Sequence, residues 1–212
     1  MKKLHACVYD AEIVHCVPQH GEERESDLTY CGGWGDKAGM GVAVVCAIDL
    51  WTGRSHIFLE DNLADFQRLA ASRHSLVGFN SLSFDDGLLA AAGYPVTTTY
   101  DLKRELGGVL PGGQRVKGRT LDDFCRANLP AAGGKSMHGA DAPKQWQRNK
   151  RGTVINYCMK DVWLTASLLC LLPGPIIDPA TGQTVKVTVP FELQEPQMEI
   201  FLPNDASELV GV

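Results

Sequence analysis

Alternation opens the chain. Leu4, Ala6 and Val8 share one face of a strand over Leu4–Ile13, and the two-residue period continues that face through Asp10 and Glu12. Residues 14–40 are rich in Gly and charge and read as loop. Gly41–Leu50 is an apolar, β-branched run that turns at Trp51-Thr52-Gly53 into Arg54–Glu60, a hairpin. Helical spacing follows over Asp61–His74, with Asp61 or Asn62 placed to cap it. Ser75–Phe79 predicts a short strand, Phe84–Ala92 a helix stopped by Gly93, and Val96–Tyr100 a further strand. From there the chain turns helical and basic, interrupted at Pro111-Gly112-Gly113 and again at Pro130–Gly134. The longest helix is predicted over Gly152–Leu172, before Pro173. Ile176–Val189 reads as a second hairpin around Ala180-Thr181-Gly182, and the last residues as an acidic, weakly structured tail.

Antiparallel strands followed by strand–helix units predict an α/β domain, a mixed sheet flanked by helices. The domain is expected over residues 1–172, with a C-terminal hairpin and tail over 173–212. A chain of 212 residues with 44% apolar and 21% charged residues builds its own core and is not intrinsically disordered. The longest nearly uncharged apolar run, Val162–Ile177, is short and broken by Pro173, Gly174 and Pro175, so no membrane segment is expected. Met1-Lys2-Lys3 leads into an apolar stretch too short for a secretory signal. The seven cysteines form no CxxC pair and read as reduced core residues of a cytoplasmic protein. No motif sets an oligomeric state.

The net charge of −5 hides a division. Between Lys103 and Arg151 eleven Lys/Arg oppose four Asp/Glu, which leaves +7 in that segment and −12 elsewhere. Such asymmetry predicts a cationic face suited to a polyanion.

Several acids fall on faces that otherwise read as buried. Besides Asp10 and Glu12, Asp161 interrupts the apolar stripe of the long helix, with Tyr157 one turn before it, and Asp85 opens the helix after the Ser75–Phe79 strand. Each feature alone has an ordinary explanation: a solvated strand end, a helix N-terminus, a surface pair. Together they are costly, because an unpaired buried carboxylate costs several kcal/mol or more and converging ones repel. A divalent cation relieves both costs, and all-oxygen donors favour Mg²⁺ or Mn²⁺. Four carboxylates suffice for two such ions, the arrangement that cleaves phosphodiesters.

The segments Val8-Tyr9-Asp10-Ala11-Glu12, Asn80-Ser81-Leu82-Ser83-Phe84-Asp85 and Tyr157-Cys158-Met159-Lys160-Asp161 resemble the three motifs of the DEDDy-type 3′–5′ exonucleases. The second, with Leu88-Leu89 after it, is most similar to the family B polymerase proofreading form. Gly33-Trp34-Gly35-Asp36 ahead of Gly39-Met40-Gly41, and Ala142-Pro143 with Trp146, resemble small stand-alone phage and bacterial exonucleases.

The resemblance implies a ribonuclease H-like fold and two-metal hydrolysis of single-stranded DNA from its 3′ end. By position it gives Asp10, Glu12 and Asp161 to the ion that activates water, and Asp10 with Asp85 to the ion near the leaving group. It gives Tyr157 to the water itself, and prefers Asp85 to Asp86. Asn80, Phe84, Trp34, Trp146 and Lys144 are candidate substrate contacts, the tryptophans by stacking. Two other readings stay open: an exoribonuclease using the same site, and a nucleic-acid-binding module without chemistry.

Three further patterns are weaker. Ala132-Gly133-Gly134-Lys135-Ser136 lacks the first Gly of a phosphate loop, having Leu129 there. Gly33-x-Gly35-x-x-Ala38 precedes a strand where a dinucleotide fingerprint needs a helix. His15, Cys16, His20 and Cys31 have no zinc-site spacing.

Overall fold

The computed structural model describes residues 4–21, 23–129, 137–190 and Leu193. The segment 130–136, which contains the Lys135 loop, and the acidic tail beyond Leu193 lie outside the described residues.

Strand β1 (Ala6–Ile13) is the centre of a five-stranded sheet. On one side it pairs antiparallel with β2 (Val42–Asp49), which pairs antiparallel with β3 (Arg54–Phe58). On the other it pairs parallel with β4 (Ser75–Gly78), which pairs parallel with β5 (Tyr100–Asp101). The order is therefore β3-β2-β1-β4-β5, the mixed sheet expected of a ribonuclease H-like domain. A second sheet is the small hairpin of β6 (Ile176–Ile177) and β7 (Thr184–Val185).

Strand alternation sorts the central strands into two cores, one on each face of the sheet. Ala6 and Val8 join Val44, Cys46 and Ile48 on one face. Against them packs helix α7 (Arg151–Leu171) through Val154, Cys158 and Val162. The second hairpin adds Ile176 to this core, and Arg119 clamps its turn with a bidentate ion pair to Asp178 at 2.9 and 2.6 Å. Cys7, Tyr9 and Ala11 line the opposite face with Val45 and Ala47. They are covered by Phe66 of α2 (Leu63–Ala71) and by Leu88 and Leu89 of α3 (Asp85–Ala91). By length and composition α7 is long and apolar enough to cross a membrane, but most of it is buried against the sheet. All seven cysteines are unbridged, and six of them are buried.

The 14–40 loop contains one short helix, α1 (Lys37–Met40). The Asp36 carboxylate accepts the Gly32 and Gly39 amides at 2.7 and 2.9 Å. A Cβ at Gly39 would stand 2.1 Å from the same carboxylate, so this turn closes only on glycine. The basic region supplies α4 (Leu102–Glu105), α5 (Leu121–Asn128) and α6 (Ala142–Gln147).

Two expectations shift. The strand predicted over Val96–Tyr100 is confined to Tyr100–Asp101, because the Thr98 amide donates to Asp86 rather than to a ladder. The helix after the first hairpin begins at Leu63, and Asn62 uses its side chain to accept the Leu59 amide at 2.6 Å.

Candidate metal centre and nucleic-acid cleft

The site grows from the point where the sheet splits. The parallel register of β1 with β4 ends at Val8 and Val77, while β1 runs on to Ile13. One strand then connects to its left and the other to its right, which leaves a crevice at their carboxyl ends. Asp10 and Glu12 lie on the part of β1 that extends beyond this split.

After β4 the chain enters the left-handed region at Asn80 (φ 73°), makes one 3₁₀ turn over Ser81–Ser83, and starts α3 with Asp85. Asp101, at the end of β5, holds that turn by accepting the Asn80 and Leu82 amides at 2.9 and 3.1 Å. The Asn80 side-chain oxygen is buried and makes no hydrogen bond, and such an acceptor is costly unless a ligand satisfies it. The Ala11 amide, on the β1 segment that β4 no longer covers, donates to Asp85 Oδ1 at 3.1 Å.

Two cavities open here and share Asp10, Phe79, Asn80 and Gly139. One, of about 330 Å³, also takes Glu12, Asp85, Trp34, Phe84 and Arg115 into its wall. The other, of about 600 Å³, adds Asp161, Lys103, Arg126 and His138. All four sequence-predicted carboxylates thus border one crevice, and Glu12, Asp85 and Asp161 are buried there. Tyr157 is also buried, and a methyl group at Gly139 would stand 3.6 Å from its hydroxyl. That places the hydroxyl just behind the shared wall.

Burial raises the Asp85 carboxyl well above the usual range, and the charge of Asp10 raises it further against the opposing Ala11 hydrogen bond. Asp86 does different work: it accepts from the Tyr9 hydroxyl and from the Thr98 amide and hydroxyl, tying β1 to the start of α3. Burial followed by the charges of Asp85 and Asp86 keeps Tyr9 protonated.

Donor atoms of Asp10, Glu12 and Cys158 lie within 4.8 Å of one another. The Cys158 thiol donates to the Asp10 carbonyl, and burial, then Cys46 and then the charge of Asp10 push its pKa far up. The two carboxylates offer oxygen donors of the kind a divalent cation takes up, with the thiol beside them.

The rim of the smaller cavity is aromatic and cationic. Trp34, 57% exposed, meets Phe84 edge-on at 6.1 Å, and Lys37 Nζ sits 3.4 Å above the Phe84 ring. Burial lowers the Lys37 pKa, and Asp85 and Arg115 then act on it in opposite directions. Lys37 and Asp101 had no signal in the sequence, because their partners lie on other elements.

Two candidates are placed elsewhere. Lys144 pairs with Glu25 at 3.0 Å, and Trp146 packs against the first core beneath the Arg151 guanidinium. Neither lines either cavity. Gln147 of α6 also clasps the 14–31 loop, accepting the Thr29 amide and donating to the Val14 carbonyl. Among the described basic residues of the segment, Arg119, Arg126, Lys144 and Arg148 are engaged in ion pairs.

No family model matches the chain, and no curated protein matches it in sequence. Among solved structures it is similar to the family B DNA polymerase from the hyperthermophilic archaeon Pyrobaculum calidifontis, with a TM-score of 0.53 and 18% identity. The match covers 79% of this chain and 24% of the polymerase chain. At that identity the likeness establishes the ribonuclease H-like fold.

Proposed function

We propose that the chain is a metal-dependent 3′–5′ exonuclease of the DEDDy type, releasing nucleoside 5′-monophosphates from single-stranded DNA. One observation carries the reading: Asp10, Glu12, Asp85 and Asp161, from two strand positions and two helices, border one crevice at the point where the sheet splits. Four acids converging there repel one another, which works against folding and which bound cations would relieve.

Asp10, Glu12, Asp85 and Asp161 would hold two Mg²⁺ or Mn²⁺ ions, which when bound supply an activated water and neutralise the leaving oxygen. Tyr157 orients the attacking water through its hydroxyl behind Gly139. Trp34 and Phe84 receive the terminal base by stacking, which tolerates any sequence. Asn80 offers its buried oxygen to the same nucleotide. Lys37 and Arg115 bring positive charge to the acidic mouth, where the phosphates must approach. The thiols, all unbridged, suit the reducing cytoplasm.

The test is digestion of a 5′-labelled single strand with Mg²⁺ or Mn²⁺. A ladder shortening from the 3′ end is expected, faster on DNA than on the matching RNA. Folded protein that leaves both strands intact with either ion overturns the proposal.

A further inference from the structure

Lys103 occupies an unusual place for a lysine. It is 8% exposed, on α4, and it lines the larger cavity with Asp10 and Asp161. Most lysines keep their ammonium in water, because burial costs both hydration and the rotamer freedom of a long side chain. The chain fixes this one from several directions. Its amide donates to Asp101 Oδ1 at 3.0 Å, and its carbonyl accepts the Gly108 amide at 2.7 Å. A Cβ at Gly108 would stand 2.7 Å from the Lys103 Cγ, so the stem runs flush against a backbone that only glycine leaves open. Arg126, the neighbouring cation, is 70% exposed and paired with Asp122. Among the described residues that line the larger cavity, Lys103 is thus a buried, preorganised positive charge.

The two cavities divide the crevice at Asp10. The smaller one has aromatic walls and a volume of about 330 Å³, matched to a single small ligand. A strand whose last nucleotide sits there passes Asp10 and enters the larger cavity with its next backbone phosphate. We propose that Lys103 forms a subsite for that phosphate, one nucleotide inside the 3′ end. The inference rests on the exonuclease reading and adds to it the group that registers the strand on the acids.

The experiment compares two ligands in Mg²⁺: thymidine 5′-monophosphate, followed by calorimetry, and a fluorescent oligothymidylate with a 3′-terminal phosphorothioate, followed by anisotropy. Lys103→Met is expected to weaken oligonucleotide binding about tenfold and to lower the log–log salt slope by about 0.7, the loss of one single-strand phosphate contact. Mononucleotide binding is expected to stay unchanged, and Lys103→Arg to restore most of the oligonucleotide affinity. Equal loss of both ligands would mean that the ammonium serves the acids alone and would overturn the subsite, as would unchanged oligonucleotide binding. The wild-type protein gives an independent arm that needs no variant to fold: it should bind a 5′-phosphorylated thymidine dinucleotide with a phosphorothioate linkage several-fold more tightly than the monophosphate, and equal affinity overturns the inference. If the wild type cuts strands but fails these comparisons, the subsite alone is wrong. If it neither binds nor cuts any strand, the exonuclease reading fails as well.

Discussion

The Ala11 amide donates to Asp85 Oδ1 across 3.1 Å, joining residues 74 positions apart in the chain. This bond brings the start of α3 against the free edge of β1 and sets Asp85 beside Asp10. Burial and the Asp10 charge favour protonated Asp85 in the fold. A carboxyl with a raised folded pKa destabilises as pH climbs from its unfolded value, about 3.9, through the folded one. In EDTA, Asp85→Asn is therefore expected to raise the thermal midpoint at neutral pH, and the gain should vanish below about pH 4, where aspartic acid is neutral in both states. Thermal melts of the two proteins across pH check this, and a variant less stable at pH 7 would contradict it.

Asp10 and Asp161 bear most directly on activity. Asp10→Asn or Asp161→Asn is expected to lower the rate by at least about a thousandfold, since each removes charge from the site on which hydrolysis depends. Tyr157→Phe keeps every carboxylate, so it should slow turnover about a hundredfold while leaving the metal midpoint in place. Single-turnover digestion against metal concentration separates the two effects.

Divalent ions should also act on stability without any substrate. Adding Mg²⁺ or Mn²⁺ to EDTA-treated protein relieves the repulsion among the buried acids, and at about a hundredfold excess over Kd the fold gains about 2.7 kcal/mol. Asp10→Asn should reduce that gain sharply, because Asp10 borders both cavities. Scanning calorimetry with and without the ion reads it directly.

Much of this geometry is legible in the residues. Period-two alternation through β1 puts Asp10 and Glu12 on the face that α7 covers, and the α7 stripe carries Asp161 into the same layer. What separates Asp85 from its neighbour Asp86 is tertiary: one meets Ala11, the other Tyr9 and Thr98. Lys37 and Asp101 owe their positions to contacts across elements, which no local pattern encodes. Charge counting is incomplete for a related reason. It registers Lys144 and Arg148 but not the Glu25 and Asp27 that fold back onto them. Trp146 reads as a stacking candidate in the sequence, and the fold packs it, half-buried, against the first core.

Trp34 is more than half exposed and meets Phe84 edge-on. Trp34→Ala should then leave the melting temperature nearly unchanged. If the ring receives a base, losing about 1–3 kcal/mol of stacking raises KM roughly tenfold or more at nearly constant kcat. Steady-state digestion of a short oligonucleotide measures the split, and an unchanged KM would remove Trp34 from the substrate path.

Asp49 and Arg73 lie far from the crevice and test the fold alone. The Arg73 guanidinium grips both Asp49 oxygens at 2.8 and 2.7 Å, and the carboxylate also accepts from the Trp51 amide at 3.1 Å. Burial works against the charge, but the Arg73 and Thr52 hydrogen bonds bring the Asp49 pKa down to about 2. A depressed pKa adds stability that is complete above the unfolded value, near 3.9, and is lost as pH falls toward 2. Asp49→Ala leaves the guanidinium uncompensated and should cost about 3 kcal/mol at pH 7. Urea denaturation at pH 7 and pH 3 should show that penalty shrinking with acid, and a penalty equal at both would refute the assignment.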